Sequence, residues 1–413
     1  QNVHEDFLLS IENDLIVQSL LSPLPAALPT GIAYDIPLSD HPLVDVYIDY
    51  FTGRGRRHFE KWLARAERYR PIMIPILEEN GLPRDTFYLA MIESGLSSRA
   101  YSVAAASGFW QFIRSTAEIF DMRMDHWVDE RRDFITATRA ACRYLNQLHN
   151  QFGDWHLAWA SYNAGAGRVS RALKRSDSTG YWQLVDREAL PKETRHYVAK
   201  IIAAAIVAKN APRYGFGPIE GESRLYYDEF TVDRAVDLRR LAKALKVQVS
   251  QLRELNPSLL HDLTPPRRRS TLRVPEGLDE DAQTWITKQS PLKLVDLRPY
   301  RVRRGDTLSG VARRFGVSIA SLRDFNEIRS VHALHVGQKL VVPVRLGKKG
   351  RSGSAQARRT VVASSRERRH VVASGETLWS ISRRYRCTVP ELKRWNRLGN
   401  HRIRIGQVLT VRR

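Results

Sequence analysis

One carboxylate stands out for its setting. Glu93 follows a run, Phe87 to Ile92, that is almost wholly apolar. That pattern predicts a helix buried on most sides rather than an amphipathic surface helix. Gly95 comes two residues later, and glycine readily takes the left-handed conformation that ends a helix. A carboxylate at that end meets the negative pole of the helix dipole and is partly desolvated, and both effects favour its protonated form. A carboxylic acid that stays neutral near pH 7 is what protonation of a glycosidic oxygen requires. The plain alternative is a helix-end glutamate that points into water or pairs with Arg99.

Other chemistries lack their residues. The twelve histidines show no HExxH or similar spacing, so no metal and no cofactor is expected. No phosphate-cradling Gly-rich loop or nucleophile elbow is present. Asp129-Glu130-Arg131-Arg132-Asp133 alternates charge at a helix start, the pattern of a structural salt-bridge cluster rather than an acidic site. Cys142 and Cys387 are the two cysteines. They are too few for a disulfide framework, leave the redox compartment open, and read as small buried apolar residues.

The elements that must position Glu93 are helical. LVDVYIDYF and HFEKWLARAERYRPIMIPILEENGLP carry helical periodicity from His41 on, Asn80-Gly81 closes the second run, and Pro83 opens the helix that ends at Glu93. FITATRAACRYLNQLHNQF, WHLAWASYN and ETRHYVAKIIAAAIVAKN continue the pattern to Pro212. We expect an all-α domain over 37–217, preceded by a proline-rich extended arm over 1–36.

Three later stretches share one pattern. Leu238 and Asn256, Leu308 and Asn326, and Leu378 and Asn396 are each eighteen residues apart. Each stretch begins on a short alternating strand, passes two helical turns and closes on TLRVP, KLVVP or VLTV, a small α+β (βααβ) unit. The expected spans are 218–276, 300–344 and 370–413, with a connector over 277–299 and a flexible basic linker over 345–369. The formal net charge of +22 gathers at this end. Residues 345–413 hold 19 Lys/Arg against 3 Asp/Glu, and the first 300 residues carry only +1. Such a tail suits nucleic acid, anionic lipid or an anionic polymer.

Four motifs occur in order: Glu93-Ser94-Gly95; Ser102, Ala106, Gly108 and Gln111; Tyr162-Asn163-Ala164-Gly165; and Glu193 to Val198. Together they resemble the lytic murein transglycosylase family, which has a lysozyme-like fold and cleaves peptidoglycan glycan strands. The resemblance covers about 37–212. It implies that Glu93 is the catalytic acid, that Ser102 hydrogen-bonds the muramoyl residue, and that Gln111 lines the cleft. It further implies that Tyr162 and Asn163 belong to the substrate-binding wall and that the Tyr197 hydroxyl approaches Glu93. Ordinary alternatives exist for each: a turn serine, a surface amide, a turn cap, a core tyrosine. Ile113 stands where many relatives have methionine. Most glycosidases use two carboxylates, yet only Glu93 falls within the motifs. The resemblance resolves this, because these enzymes use the substrate's own C6 hydroxyl as nucleophile and form a 1,6-anhydro ring.

The repeats resemble the LysM module, which binds N-acetylglucosamine-containing glycans. The resemblance implies sugar contacts from the opening turns Gly305-Asp306-Thr307-Leu308 and Gly375-Glu376-Thr377-Leu378, and from the loop before the last strand. The first repeat lacks that turn and is expected to be degenerate, a structural spacer. The expected function is cleavage of the MurNAc–GlcNAc bond in the periplasm or envelope of a bacterium, with peptidoglycan as partner. Two alternatives are a muramidase hydrolysing the same bond and a non-catalytic peptidoglycan-binding scaffold. Specific nucleic-acid binding is not expected, since Trp379, Tyr385 and Trp395 are the only aromatics interleaved with the basic tail. The chain opens on Gln1-Asn2, the expectation for a targeting segment already removed, and membrane attachment is not evident.

Overall fold

The computed structural model describes residues 32–343 apart from 290–293, 296 and 329–333, then 368–372 and a discontinuous set between 378 and 411. The arm expected over 1–36 lies outside the described residues up to 31, and the basic linker up to 367. Residues 1–347 and 348–413 form two separate units.

Every named element described between 37 and 217 is helical, as the periodicity predicts. α1 (Pro42–Thr52) starts with proline in its first turn, where a missing N–H costs nothing, and the His41 ring accepts from the Leu43 N–H. α2 (Arg56–Glu79) runs unbroken through Pro71 and Pro75. Two interior prolines would ordinarily break a helix. Here burial of Phe59, Trp62, Leu63, Tyr69, Met73 and Leu77 along one face outweighs the lost backbone bonds.

A turn of 3₁₀ helix at Arg84–Thr86 leads into α3 (Phe87–Ser94), which starts four residues later and ends one residue later than expected and is buried everywhere but Glu93. α4 (Arg114–Ile119), α5 (Thr136–Phe152), α6 (Trp155–Ala164), α7 (Ala166–Ser176) and α8 (Tyr181–Asp186) follow. α9 (Lys192–Lys209) is the centre: every residue from His196 to Val207 is buried. It packs against α1, α6 and α3, and each buried Ile or Val contributes about 1.5–3 kcal/mol.

The first repeat pairs β1 (Tyr227–Val232) antiparallel with β2 (Ser270–Pro275), Tyr227 opposite Pro275, around α10 (Leu238–Ala244) and α11 (Val249–Leu255). The connector expected over 277–299 needs correction. It contains α12 (Asp279–Lys288), whose Ala282 and Ile286 complete the core of this repeat. The second repeat pairs β3 (Leu297–Arg301) with β4 (Lys339–Pro343) around α13 (Leu308–Phe315) and α14 (Ile319–Asn326). In the third, β5 (Arg368–Val371) pairs with β6 (Val408–Val411), and α15 (Val389–Trp395) packs on β6.

The eighteen-residue spacing has a physical cause. Leu238, Leu308 and Leu378 are all buried in their cores. Each paired asparagine ties the end of the second helix to the closing strand. Asn256 Nδ2 donates to the Leu252 and Arg273 carbonyls and its Oδ1 accepts from the Arg273 N–H. Asn326 does the same with Leu322 and Val341, and Asn396 with Leu392 and Thr410.

Candidate active site

Glu93 stands half-buried in the last turn of α3. What fixes that turn is close packing. Gly95 is left-handed at φ 57°, and a Cβ there would lie 2.3 Å from Trp62 Nε1, so only glycine fits both the conformation and the space. Arg65 donates to the Gly95 carbonyl at 2.8 Å. Ser94 Oγ, buried, donates to the Phe109 carbonyl at 2.9 Å and so joins α3 to the following loop.

That loop, 100–113, folds on itself through isolated bridges of Ser107 to Tyr101 and to Phe112. Ser102 is a turn residue: its N–H donates to the Ala106 carbonyl, and its Oγ accepts from the Ala106 N–H at 3.1 Å. Gly108 is required, since at φ 80° an added Cβ would fall 1.8 Å from the Arg131 carbonyl oxygen. Gln111 sits at φ 47° and its amide donates to the Gly108 carbonyl at 2.8 Å. Trp110 is buried, with its indole N–H donating to Thr138 Oγ1 at 2.9 Å. Ile113 is 43% exposed.

Two tyrosines face Glu93 from other helices. Tyr197 on α9 donates its hydroxyl to Glu93 Oε1. Tyr162 on α6 donates to the Trp110 carbonyl at 2.7 Å and packs against Phe112 and Tyr144. Burial first, and then the charge of Glu93, push both phenols well above their ordinary value, so both remain hydrogen-bond donors. Asn163, expected on the substrate wall, spends its amide within the protein. Its Nδ2 donates to Glu193 Oε1 at 3.1 Å, and its Oδ1 accepts from Thr194 Oγ1 at 2.8 Å. It holds the start of α9, and hence Tyr197, against the end of α6.

Glu93, Tyr162 and Tyr197 are therefore brought together, with Gln111 and Ser102 on the loop alongside. Missed at the level of sequence was the grip on that loop. Arg131, expected to belong to a structural salt-bridge cluster, forks onto Asp129 at 2.9 Å through Nε and Nη2. Its Nη1 donates to the Ala105 and Phe112 carbonyls at 2.9 and 3.0 Å. No spacing signal announces such a contact, because both acceptors are backbone.

A cavity of about 690 Å³ opens where Leu96–Arg99 face the first repeat. Two of its arginines are already engaged, Arg68 with Glu222 and Glu254, and Arg253 with Asp262. It is a polar seam, and Glu93 does not line it.

In the second repeat, Gly305 takes φ 84° and Asp306 accepts from the Tyr300 hydroxyl and the Arg303 N–H. Thr307 caps α13 by accepting from the Gly310 N–H at 3.0 Å. Leu308 and Leu378, expected among the glycan-binding residues, are core side chains at 2% and 3% exposure. That expectation is corrected for both side chains, because a leucine filling a module core presents no side-chain surface to a sugar. Gly375, Glu376 and Thr377 lie outside the described residues.

Known proteins match the chain domain by domain. The Transglycosylase SLT domain pattern matches residues 75–185. The LysM domain pattern matches 300–343 and 370–412, and that of the lytic transglycosylase MltD LysM-like domain matches 226–288. Membrane-bound lytic murein transglycosylase D of Escherichia coli is 31% identical over 359 residues, 83% of this chain and 76% of that one. An autolysin of Enterococcus faecalis is 38% identical over 112 residues, 27% of this chain and 14% of its own. The lytic transglycosylase Slt of Pseudomonas aeruginosa superposes with a TM-score of 0.30 at 23% identity, over 37% of this chain and 25% of that one. With a helical catalytic domain, three LysM-type repeats and that extent of shared sequence, the chain belongs to the lytic murein transglycosylase D family, enzymes with peptidoglycan-binding LysM modules.

Proposed function

We propose that Glu93 alone carries both proton transfers of the reaction. Protonated, it gives its proton to the glycosidic oxygen as the bond from C1 of N-acetylmuramic acid to the N-acetylglucosamine oxygen breaks. The 2-acetamido group supports the cation that forms. As a carboxylate, Glu93 then takes the proton of the same sugar's C6 hydroxyl while that oxygen bonds to C1. No water is consumed and Glu93 ends protonated. The intramolecular hydroxyl outcompetes water through its effective concentration.

The observation that carries this reading is the Tyr197 hydroxyl on Glu93 Oε1. A buried donor fixed to one oxygen orients the carboxyl for transfer at the other. Tyr162 and Asn163 hold the wall behind it, while Ser102 and Gln111 present the loop to the sugar. The catalytic domain spans 37–217. The repeats at 300–344 and 370–413 bind the glycan through the turns Gly305-Asp306-Thr307 and Gly375-Glu376-Thr377. The enzyme works in the bacterial cell envelope, and we place it in the periplasm, acting on strands of alternating GlcNAc and MurNAc. Among the described residues no helix is long and apolar enough to cross a membrane.

Glu93→Gln tests the assignment, since it keeps size and removes the transferable proton. Turnover should fall at least about a hundredfold with the fold intact. Wild-type turnover by the folded variant would refute the role. Mass spectrometry of wild-type products should find anhydro ends, lighter by one water than the ends a hydrolase leaves.

A further inference from the structure

We propose that the first repeat is a brace for the active-site loop and not a glycan reader, with Arg131 as a positioning residue for that loop. Two observations show that its would-be sugar-binding segments are occupied. Where the second repeat has Gly305-Asp306-Thr307, the first has Ala235-Val236-Asp237 at the same distance before its core leucine. Val236 is fully buried. Its N–H donates to Thr264 Oγ1 at 2.8 Å, its carbonyl accepts from the Thr264 N–H at 3.1 Å, and the Asp237 N–H donates to the Leu294 carbonyl at 3.2 Å. The opening turn is thus closed by the repeat's own chain. The segment after α11 is taken by the catalytic domain. The Asp129 N–H donates to the Ser258 carbonyl and the Leu260 N–H to the Trp127 carbonyl, both at 2.9 Å, with Val128 bridged to Leu259 between them.

Residues 127–133 form a plank with a partner on each side. On one side Trp127 and Val128 enter the core of the first repeat. Asp133, buried, takes the Arg273 guanidinium at 2.6 and 3.3 Å. That guanidinium lies over the rings of Phe134 and Tyr227. On the other side the Arg131 Nη1 holds the Ala105 and Phe112 carbonyls, and Gly108 packs on the Arg131 carbonyl. The loop so held touches the site twice, through Phe109 to Ser94 and through Trp110 to Tyr162. A buried guanidinium with its fork on Asp129 has no freedom to swing, so displacing the plank displaces the loop.

Native-state hydrogen exchange of the full chain in rising denaturant tests this without a variant. The Ala106 and Ser107 N–H groups should open together with those of Asp129 and Leu260. If Ala106 and Ser107 stay protected after the junction has opened, the brace is refuted. The second arm is Asp133→Asn, which removes the charge opposite Arg273 and leaves an acceptor. On a short soluble glycan, kcat should fall roughly tenfold with KM near the wild-type value, and retention on insoluble peptidoglycan should not change. Wild-type kcat in the folded variant, or any loss of retention, overturns the proposal. Should the variant not fold, the exchange experiment decides. The kinetic arm rests on Glu93 as the acid and the exchange arm does not, so the two readings fail separately.

Discussion

The first and second repeats are built on one plan and used in two ways. Both bury the leucine that opens their first helix, and both clamp the closing strand with an asparagine amide. They part at the position that asparagine grips. In the first repeat it is Arg273, whose side chain crosses into the catalytic domain to Asp133. In the second it is Val341, half-buried within its own module. They part again at the opening turn, closed over a buried Val236 in one and built on a left-handed Gly305 in the other. Core and clamp define the module, and the residues outside them decide what it serves.

The comparison breaks most sharply at Arg273. Arg273→Val gives the first repeat the residue type of the second and strands a buried carboxylate. Chemical denaturation should show a loss of about 3–5 kcal/mol, and the reverse change, Val341→Arg, should cost within about 1 kcal/mol because that position can reach water. Adding Asp133→Asn to Arg273→Val should restore part of the loss, since it removes the stranded charge while the amide oxygen still accepts from the Ile135 and Thr136 N–H groups. An Arg273→Val variant as stable as wild type would mean that the pair does not join the two parts.

Asn256→Ala and Asn326→Ala come next. Each leaves a strand N–H and carbonyl without a partner, for a cost of about 1–3 kcal/mol. Only Asn256→Ala should also lower turnover of a short soluble glycan. Equal turnover losses would erase the distinction between the repeats. The helix caps are smaller. Asp237 accepts from the Arg239 N–H at 2.8 Å and Thr307 from the Gly310 N–H. Replacing either by alanine should cost about 1 kcal/mol. Retention on insoluble peptidoglycan should fall for Thr307→Ala alone.

Smallest is the effect of pH. Burial acts to raise the Asp133 carboxyl, but the charge and hydrogen bonds of Arg273, joined by the Thr136 and Ile135 N–H groups, hold it below its ordinary 3.8. A carboxylate depressed in the fold contributes stability that is present above the unfolded value and lost as pH falls through the folded one. The difference in unfolding free energy between wild type and Asp133→Asn should therefore be flat from about pH 5 to 8. A slope within that window would show that Asp133 is not held ionised.

Much of this protein was legible before folding. The apolar run before Glu93 and the glycine after it marked the candidate acid, because helix burial and helix termination are local in sequence, while Tyr197 beside it was legible only through the resemblance carried by the ordered motifs. The leucine–asparagine spacing marked three modules for the same reason: one turn-and-helix unit sets the distance. What the sequence by itself determined was thus the helical domain, the repeats and the candidate acid. Only the tertiary structure decided that Asn163 secures α9, that Leu308 and Leu378 are core, and that 279–288 completes the first repeat. It also decided that Arg131 and Arg273 join that repeat to the active-site loop. These depend on which backbone carbonyls and carboxylates arrive beside a side chain from far along the chain, and a hydrogen bond to a carbonyl leaves no residue type to read.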